Sequence, residues 1–230
     1  MKKELIAHQN PKSPISEMFR TLRTNIQFMT SNKELKTVLV TSTVPSEGKS
    51  WVSSNLAVTF AQTGKRVVLI DADMRKGRIH KIFKIASRPG LSNYLSGMNE
   101  EKKGKQNLVK HLQETDVENL YVLPAGNIPP NPSELLVSSQ MVNLLDDLKK
   151  QVDIIIIDAT PSKLVTDAVI LSRIVDTTII VAAHNQTKKD ELSKTIKDIK
   201  NVGGNIAGVV YNKIPVQAKE YTETYYYADR

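Results

Sequence analysis

The stretch "TSTVPSEGKS", Thr41 to Ser50, follows directly on "KTVLV", Lys36 to Val40. After it comes "KSWVSSNLAVTFAQTG", a helix-forming run closed by Gly64. A buried strand, a turn ending in Gly-Lys-Ser and a helix form the layout of a phosphate-binding loop. The general pattern is G-x-x-x-x-G-K-[ST]. Gly48, Lys49 and Ser50 match it, and Thr43 stands where the first glycine would be. Backbone amides from Glu47 to Ser50 would cradle phosphate oxygens at a helix N-terminus. Gly48 lets the backbone come close because it has no Cβ. Lys49 would neutralise the β- and γ-phosphates, and the Ser50 hydroxyl would ligate Mg²⁺.

Gly-Lys-Ser alone also occurs by accident in strand–helix turns, so the carboxylates carry the decision. "VVLIDADMR" puts Asp71 and Asp73 at the end of a second strand, and "DIIIID" puts Asp158 at the end of a third. In an open α/β sheet, ligands bind outside the carboxyl ends of the strands. Each aspartate by itself reads equally well as a helix cap. Three beside a lysine-bearing loop make a site for hydrated Mg²⁺ and phosphoryl oxygens.

Outward from these motifs the chain alternates. Residues 1–12 read as an extended or mobile lead. A helix over about 14–29 starts at Ser13-Pro14, a good N-cap and first position, and puts Ile15, Phe19, Leu22 and Ile26 on one face. Beyond Asp73, "GLSNYLSG" reads as a short helix, residues 100–106 as a charged loop, "NLYVLPAG" as a strand and Ser133 to Lys150 as one helix. "VDIIIID", "TTIIVAA" and "IAGVVYN" read as strands, with helices in "DAVILSRIV" and "TKKDELSKTIKDIKNVGG" between them. Strands apolar on both faces, separated by helices, predict an α/β fold with a mostly parallel central sheet covered on both faces.

Composition narrows the function. The 230 residues include no cysteine, which excludes disulfides, zinc–thiolate sites and cysteine nucleophiles. Four histidines lie far apart. The net charge of +8 is spread along the chain, and aromatic residues are 5% of it, so no nucleic-acid platform is expected. An anionic membrane leaflet fits that charge better. No apolar run nears the ~20 residues of a membrane span, and the start lacks a signal-peptide core. The expectation is a soluble intracellular protein.

"TVPSEGKS", "LIDADMRK" and "IIIID", in this order, resemble the bacterial tyrosine kinases, P-loop proteins unrelated to eukaryotic protein kinases. "ISEMFRTLRTNI", "GNIPPNPSELL", "VTDAVIL", "GVVYNK" and the tyrosine-rich end resemble the same family. The likeness covers nearly the whole chain and is similar to the separate cytoplasmic kinase subunit of Gram-positive bacteria. It implies a P-loop NTPase-like kinase domain over residues 1–220, including the helix at about 14–29 as an oligomerisation element, and a flexible tail over 221–230.

The resemblance also implies roles. Glu47, Gly48, Lys49, Ser50 and Trp51 would hold ATP, and Asn212 would read adenine. Lys49, Asp71, Asp73 and Asp158 would be catalytic, with Asp71 the base. Ser50, Asp73 and Asp158 would support Mg²⁺. The sequence departs from the family at three places. Trp51 stands where threonine is common, Ala159-Thr160-Pro161 where Thr-Pro-Pro is common, and Gly77 follows Arg75-Lys76 where proline is common. The charged and phosphate-facing residues survive; the altered loop after Asp158 bears on rate and activation.

Four of the seven tyrosines, Tyr221, Tyr225, Tyr226 and Tyr227, fall in the last ten residues with no interleaved aliphatics. They are the expected phosphoacceptors, reached between subunits. Glu17, Arg20 and Arg23 step by three along one helical stripe. Spacing alone reads this as a solvated face, whereas the resemblance makes it a subunit contact in a ring-like homo-oligomer. Further implied partners are a membrane activator with a cytoplasmic segment, tyrosine-bearing protein substrates and a cognate tyrosine phosphatase. The implied setting is capsule or exopolysaccharide synthesis at the membrane periphery. Two rivals share the motifs: a partition-type ATPase switch, which usually has an additional lysine early in the loop, and a nucleotide-binding scaffold without catalysis.

Overall fold

The computed structural model describes residues 4–29, 34–97 and 108–215. The residues 100–106 loop and the four tail tyrosines lie outside these. Seven strands form one sheet in the order β3-β4-β2-β5-β1-β6-β7. They are β1 (Thr37–Ser42), β2 (Val67–Asp71), β3 (Gln113–Glu114), β4 (Leu120–Leu123), β5 (Ile154–Asp158), β6 (Thr177–Ala183) and β7 (Ile206–Asn212). All neighbours pair in parallel except β3 with β4, an antiparallel edge pair. The short β3 has no sequence signal, because two residues carry no periodicity.

The helices are α1 (Ile6–Gln9), α2 (Pro14–Met29), α3 (Lys49–Ala61), α4 (Ile79–Phe83), α5 (Leu91–Gly97), α6 (Pro132–Val137), α7 (Ser139–Gln151), α8 (Asp167–Ser172) and α9 (Lys189–Asn201). The central strands feed two cores with period two. Val38, Val40, Val67, Leu69, Ile154 and Ile156 pack with Phe19 of α2 and with α3 on one face. Leu39, Val68, Ile70, Ile155 and Ile157 pack with α7 and α8 on the other. Each such buried aliphatic side chain contributes about 1.5–3 kcal/mol. Doubly buried strands therefore read as continuous apolar runs.

Three expectations need correction. The lead is not extended over its described part: Leu5 and Ala7 are buried, and residues 6–9 form α1. It is tied down by α3. Asn55 Oδ1 accepts the Ala7 amide at 3.0 Å, and Asn55 Nδ2 donates to the Glu4 carbonyl at 2.9 Å. Such contacts, some fifty residues apart, leave no local pattern. The helix expected from Ser133 to Lys150 breaks at Ser138, whose ψ of 154° is extended. Its hydroxyl bonds the Leu135 carbonyl at 2.6 Å, competing with helix continuation. Asp73 lies beyond β2, which ends at Asp71. The helix start at Pro14 is as expected, with Ser13 Oγ accepting the Ser16 amide at 3.1 Å.

Candidate active site

The carboxyl ends of β1, β2 and β5 bring the site together. The loop from β1 to α3 curls through two left-handed residues, Ser46 (φ 65°) and Gly48 (φ 98°). Gly48 is required twice over. Its φ disfavours any side chain, and an added Cβ would sit 2.2 Å from Asn212 Nδ2. No side chain among the described residues caps α3, so its first-turn amides remain available to an anion.

The loop is held from outside by the end of β7 and by the segments just after β6 and β7. Glu47 is fully buried. Its carboxylate accepts the Val44 amide at 2.9 Å and the Thr187 hydroxyl, and its carbonyl accepts Asn212 Nδ2 at 2.8 Å. Gln186 Nε2 donates to the Pro45 carbonyl at 2.8 Å, and Lys213 Nζ donates to the Ser46 carbonyl. Thr187, Gln186 and Lys213 were not foreseen in this role: Lys213 closes the "GVVYNK" motif without a role read from it, and nothing in the local sequence marks Gln186 or Thr187. Asn212, expected at adenine, donates its Nδ2 to the loop backbone at the Glu47 carbonyl. The tight approach of β7's end to Gly48 puts it there.

Lys49 Nζ lies 3.2 Å from Asp73 Oδ2, 3.3 Å from Asp158 Oδ2 and 3.3 Å from Ser50 Oγ. Ser50 Oγ donates to Asp158 Oδ2 at 2.6 Å. Asp71 Oδ2 accepts the Ile79 amide at 3.0 Å, which starts α4 against the site. Asp73 Oδ1 accepts the Lys76 amide at 2.9 Å. Lys49, Ser50, Asp71, Asp73 and Asp158 thus share one site, as their motifs anticipated.

Burial sets its electrostatics. It pushes the Asp71 carboxyl up to about 8, reinforced by the Asp158 charge and opposed by Lys49. Burial also raises Asp158, against the pull of Lys49 and the Ser50 hydrogen bond. For Lys49, burial acts downward, but the fields of Asp158, Asp73 and Asp71 together prevail and its shift is upward.

The residues fit Mg²⁺ with phosphate rather than a bare ion. Asp158 Oδ1 is buried without a hydrogen-bond partner and so has a free lone pair. Among the described residues no group of three or more histidines or carboxylates is spaced to hold a metal alone. Ser50, Asp73 and Asp158 are the residues that would hold Mg²⁺.

The remaining expected residues lie in the first turn of α3 and on α2. The Trp51 indole meets the Phe19 ring edge-on, centroids 5.1 Å apart, so the ring faces α2 and only its amide is left for nucleotide. Glu17 and Arg20 form an exposed ion pair. Arg23 instead donates to the Thr59 carbonyl near the end of α3 at 2.6 Å. A further network was not foreseen as such. Fully buried Asp167, at the start of α8, pairs with Arg75 Nε at 3.3 Å and accepts the Ser133 hydroxyl at 2.6 Å. It joins "DADMR", "NPSELL" and "VTDAVIL", three motifs that stand apart in the sequence.

Comparison with known proteins agrees with this geometry. The model of the AAA domain family matches residues 35–208. The chain is 40% identical to the putative tyrosine-protein kinase CapB of Staphylococcus aureus, over 98% of this chain and 95% of that one. It is 37% identical to the tyrosine-protein kinase YwqD of Bacillus subtilis, over 92% and 86%. The crystal structure of the chimerical protein CapA2B2 superposes with a TM-score of 0.85 at 38% identity, over 94% of this chain and 92% of that one. With a lysine-bearing phosphate loop facing three aspartates and a likeness along nearly its whole length, the chain belongs to the bacterial tyrosine-protein kinases.

Proposed function

We propose that this chain is an ATP- and Mg²⁺-dependent protein-tyrosine kinase that phosphorylates the tyrosines of its own C-terminal segment, one subunit acting on another. The observation that carries the reading is Lys49, held between Asp73 and Asp158 with Ser50 and Asp71 beside it. Lys49 would absorb the negative charge that develops on the γ-phosphoryl group. The amides of the loop would orient the phosphate chain. Mg²⁺, when bound, would neutralise charge on the phosphate oxygens. Asp71 would take the tyrosine hydroxyl's proton as the new oxygen–phosphorus bond forms and ADP leaves. A carboxylate raised to about 8 is closer to a phenol's pKa, ~10, than an ordinary aspartate is.

Residues Tyr221, Tyr225, Tyr226 and Tyr227 are the proposed acceptors. Each phosphate adds about −1.5 to −2 charges. Several would offset much of the chain's +8 and weaken a ring built through Glu17, Arg20 and Arg23. Tyrosine-bearing proteins would be further substrates, and a cognate phosphatase would reset the tail. The same reading includes a membrane activator with a cytoplasmic segment and a role in capsule or exopolysaccharide synthesis, which the resemblance to the family implies. Among the described residues no helix is long and apolar enough to cross a membrane. Association with a membrane surface through a partner belongs to the same proposal.

Incubation with γ-labelled ATP tests the reading on three proteins: the intact chain, Lys49→Met, and a chain ending at Glu220. Tyrosine label on the intact chain, lost in both variants, is the expected result. Free phosphate without labelled protein would support the switch instead, and neither product the scaffold.

A further inference from the structure

Beside the phosphate site, at the same edge of the sheet, lies a cleft of about 510 Å³. One wall is the segment after β2, with Arg75, Lys76, His80 and Lys81. Gly126 and Asn127, in the turn after β4, form another wall, and Arg88 lines the cleft as well. No acidic residue lines it among the described residues. The cleft borders the carboxylates through Gly77, where an added Cβ would sit 2.8 Å from Asp71 Oδ2 and 2.7 Å from the Ala125 Cβ. The turn wall is fixed. Asn93 Oδ1 accepts the amides of Gly90 and Asn127 at 3.1 and 3.2 Å, and Ser92 Oγ donates to the Asn127 carbonyl at 2.6 Å.

The cations here are unequal. Arg75 is paired with Asp167. His80 is held below its ordinary pKa by burial and by the Lys81 charge, so it is mostly neutral near pH 7. Lys76, Lys81 and Arg88 form no ion pair among the described residues. A concave wall of one sign concentrates its field on whatever enters. Acidic residues stand beside the tyrosines of the C-terminal segment, with Lys219 and Arg230 only at its two ends. Glu223 lies two residues from Tyr221 and two from Tyr225, with Glu220 and Asp229 at its flanks. Two extended residues span ~7 Å, a short step from a tyrosine at Asp71 to the cleft.

We propose that this cleft is the docking site for the acidic residues flanking the acceptor tyrosine, with Lys76, Lys81 and Arg88 selecting Glu223 and its acidic neighbours in the C-terminal segment. The proposal rests on the kinase reading and deepens it, from tyrosine to tyrosine in an acidic context.

Fluorescence anisotropy tests it without phosphoryl transfer. The receiver is the full chain with Glu220→Gln, Glu223→Gln and Asp229→Asn, so that its own end does not compete. The probes are labelled peptides of residues 219–230, one native and one carrying the same three neutral substitutions. At low salt the native peptide should bind about tenfold more tightly, and the difference should shrink as salt rises. Lys76→Gln/Lys81→Gln/Arg88→Gln in the receiver should abolish the preference while leaving binding of an ATP analogue intact. Equal binding of the two peptides by the unaltered cleft overturns the proposal, whatever the variant's stability. So does a preference that survives in the variant, or no binding of either peptide. Sedimentation with phosphatidylglycerol vesicles that the variant loses, without a peptide preference, would assign the cleft to a membrane and overturn it too. A chain that keeps the preference but transfers no label loses the kinase reading and retains the cleft.

Discussion

Asp71 and Asp158 are direct partners across two adjacent parallel strands, each the last residue of its strand. Both are fully buried, and the Ala72 amide bonds the Asp158 carbonyl at 2.8 Å, locking the register. Two carboxylates so placed cannot both ionise without a cation, and Lys49 is the cation at hand.

Removing that cation should be severe for transfer and mild for folding. Lys49→Met is expected to lower tyrosine labelling by about 10²–10³-fold, the usual loss for one preorganised charge-stabilising group. Asp158 can then take up a proton rather than remain charged, so thermal unfolding should move little. A labelling rate within about threefold of the intact chain would exclude Lys49 from the charge stabilisation.

Acidity gives a second test. If Asp71 accepts the tyrosine proton, kcat/KM for labelling should rise with pH through about 8 and level off above it. Stability should run the other way. Between the ordinary 3.8 and about 8 the folded chain holds a proton on Asp71 that the unfolded chain has released. That group's stabilising contribution is therefore complete below 3.8 and lost as pH rises through about 8. Asp71→Asn should flatten this decline in denaturant titrations at stepped pH.

Gly48 and Asn212 should behave as a coupled pair. Gly48→Ala places a methyl group 2.2 Å from Asn212 Nδ2 on a left-handed residue, and should cost about 1–3 kcal/mol together with most nucleotide affinity. Asn212→Ala loses the bond to the Glu47 carbonyl, about 1 kcal/mol. The double variant should be more stable than the sum of the two, by about 0.5–3 kcal/mol, because the clash is gone. Strict additivity in urea unfolding would show that the contact does not constrain the loop.

Trp51, the chain's one tryptophan, reports on α2. Phe19→Ala should shift its emission and cost about 3–5 kcal/mol, since a buried ring is removed from between α2 and α3. Unchanged emission would place the indole away from α2.

Asp167 should prove a positioning residue. Asp167→Asn keeps its size but weakens the bonds from Arg75 and Ser133, at about 1–3 kcal/mol. Labelling should fall through kcat more than KM, because the segment carrying Asp73 and Arg75 loosens while the phosphate loop does not. Equal loss in a Ser133→Ala variant would point to the shared network.

The sequence by itself determined the chemistry-bearing set and the layering. A glycine-lysine-serine turn after an apolar run, and aspartates closing two others, follow from local rules of strand, turn and helix, and those rules are written in short-range pattern. What holds these residues was decided only by tertiary structure. Asn55 on the lead, Thr187 on the Glu47 carboxylate, Asn212 on the Glu47 carbonyl and Asp167 on Arg75 are hydrogen bonds between segments tens to more than a hundred residues apart. A polar side chain finds such a partner only once the sheet has brought distant strand ends together, and no local periodicity encodes that meeting.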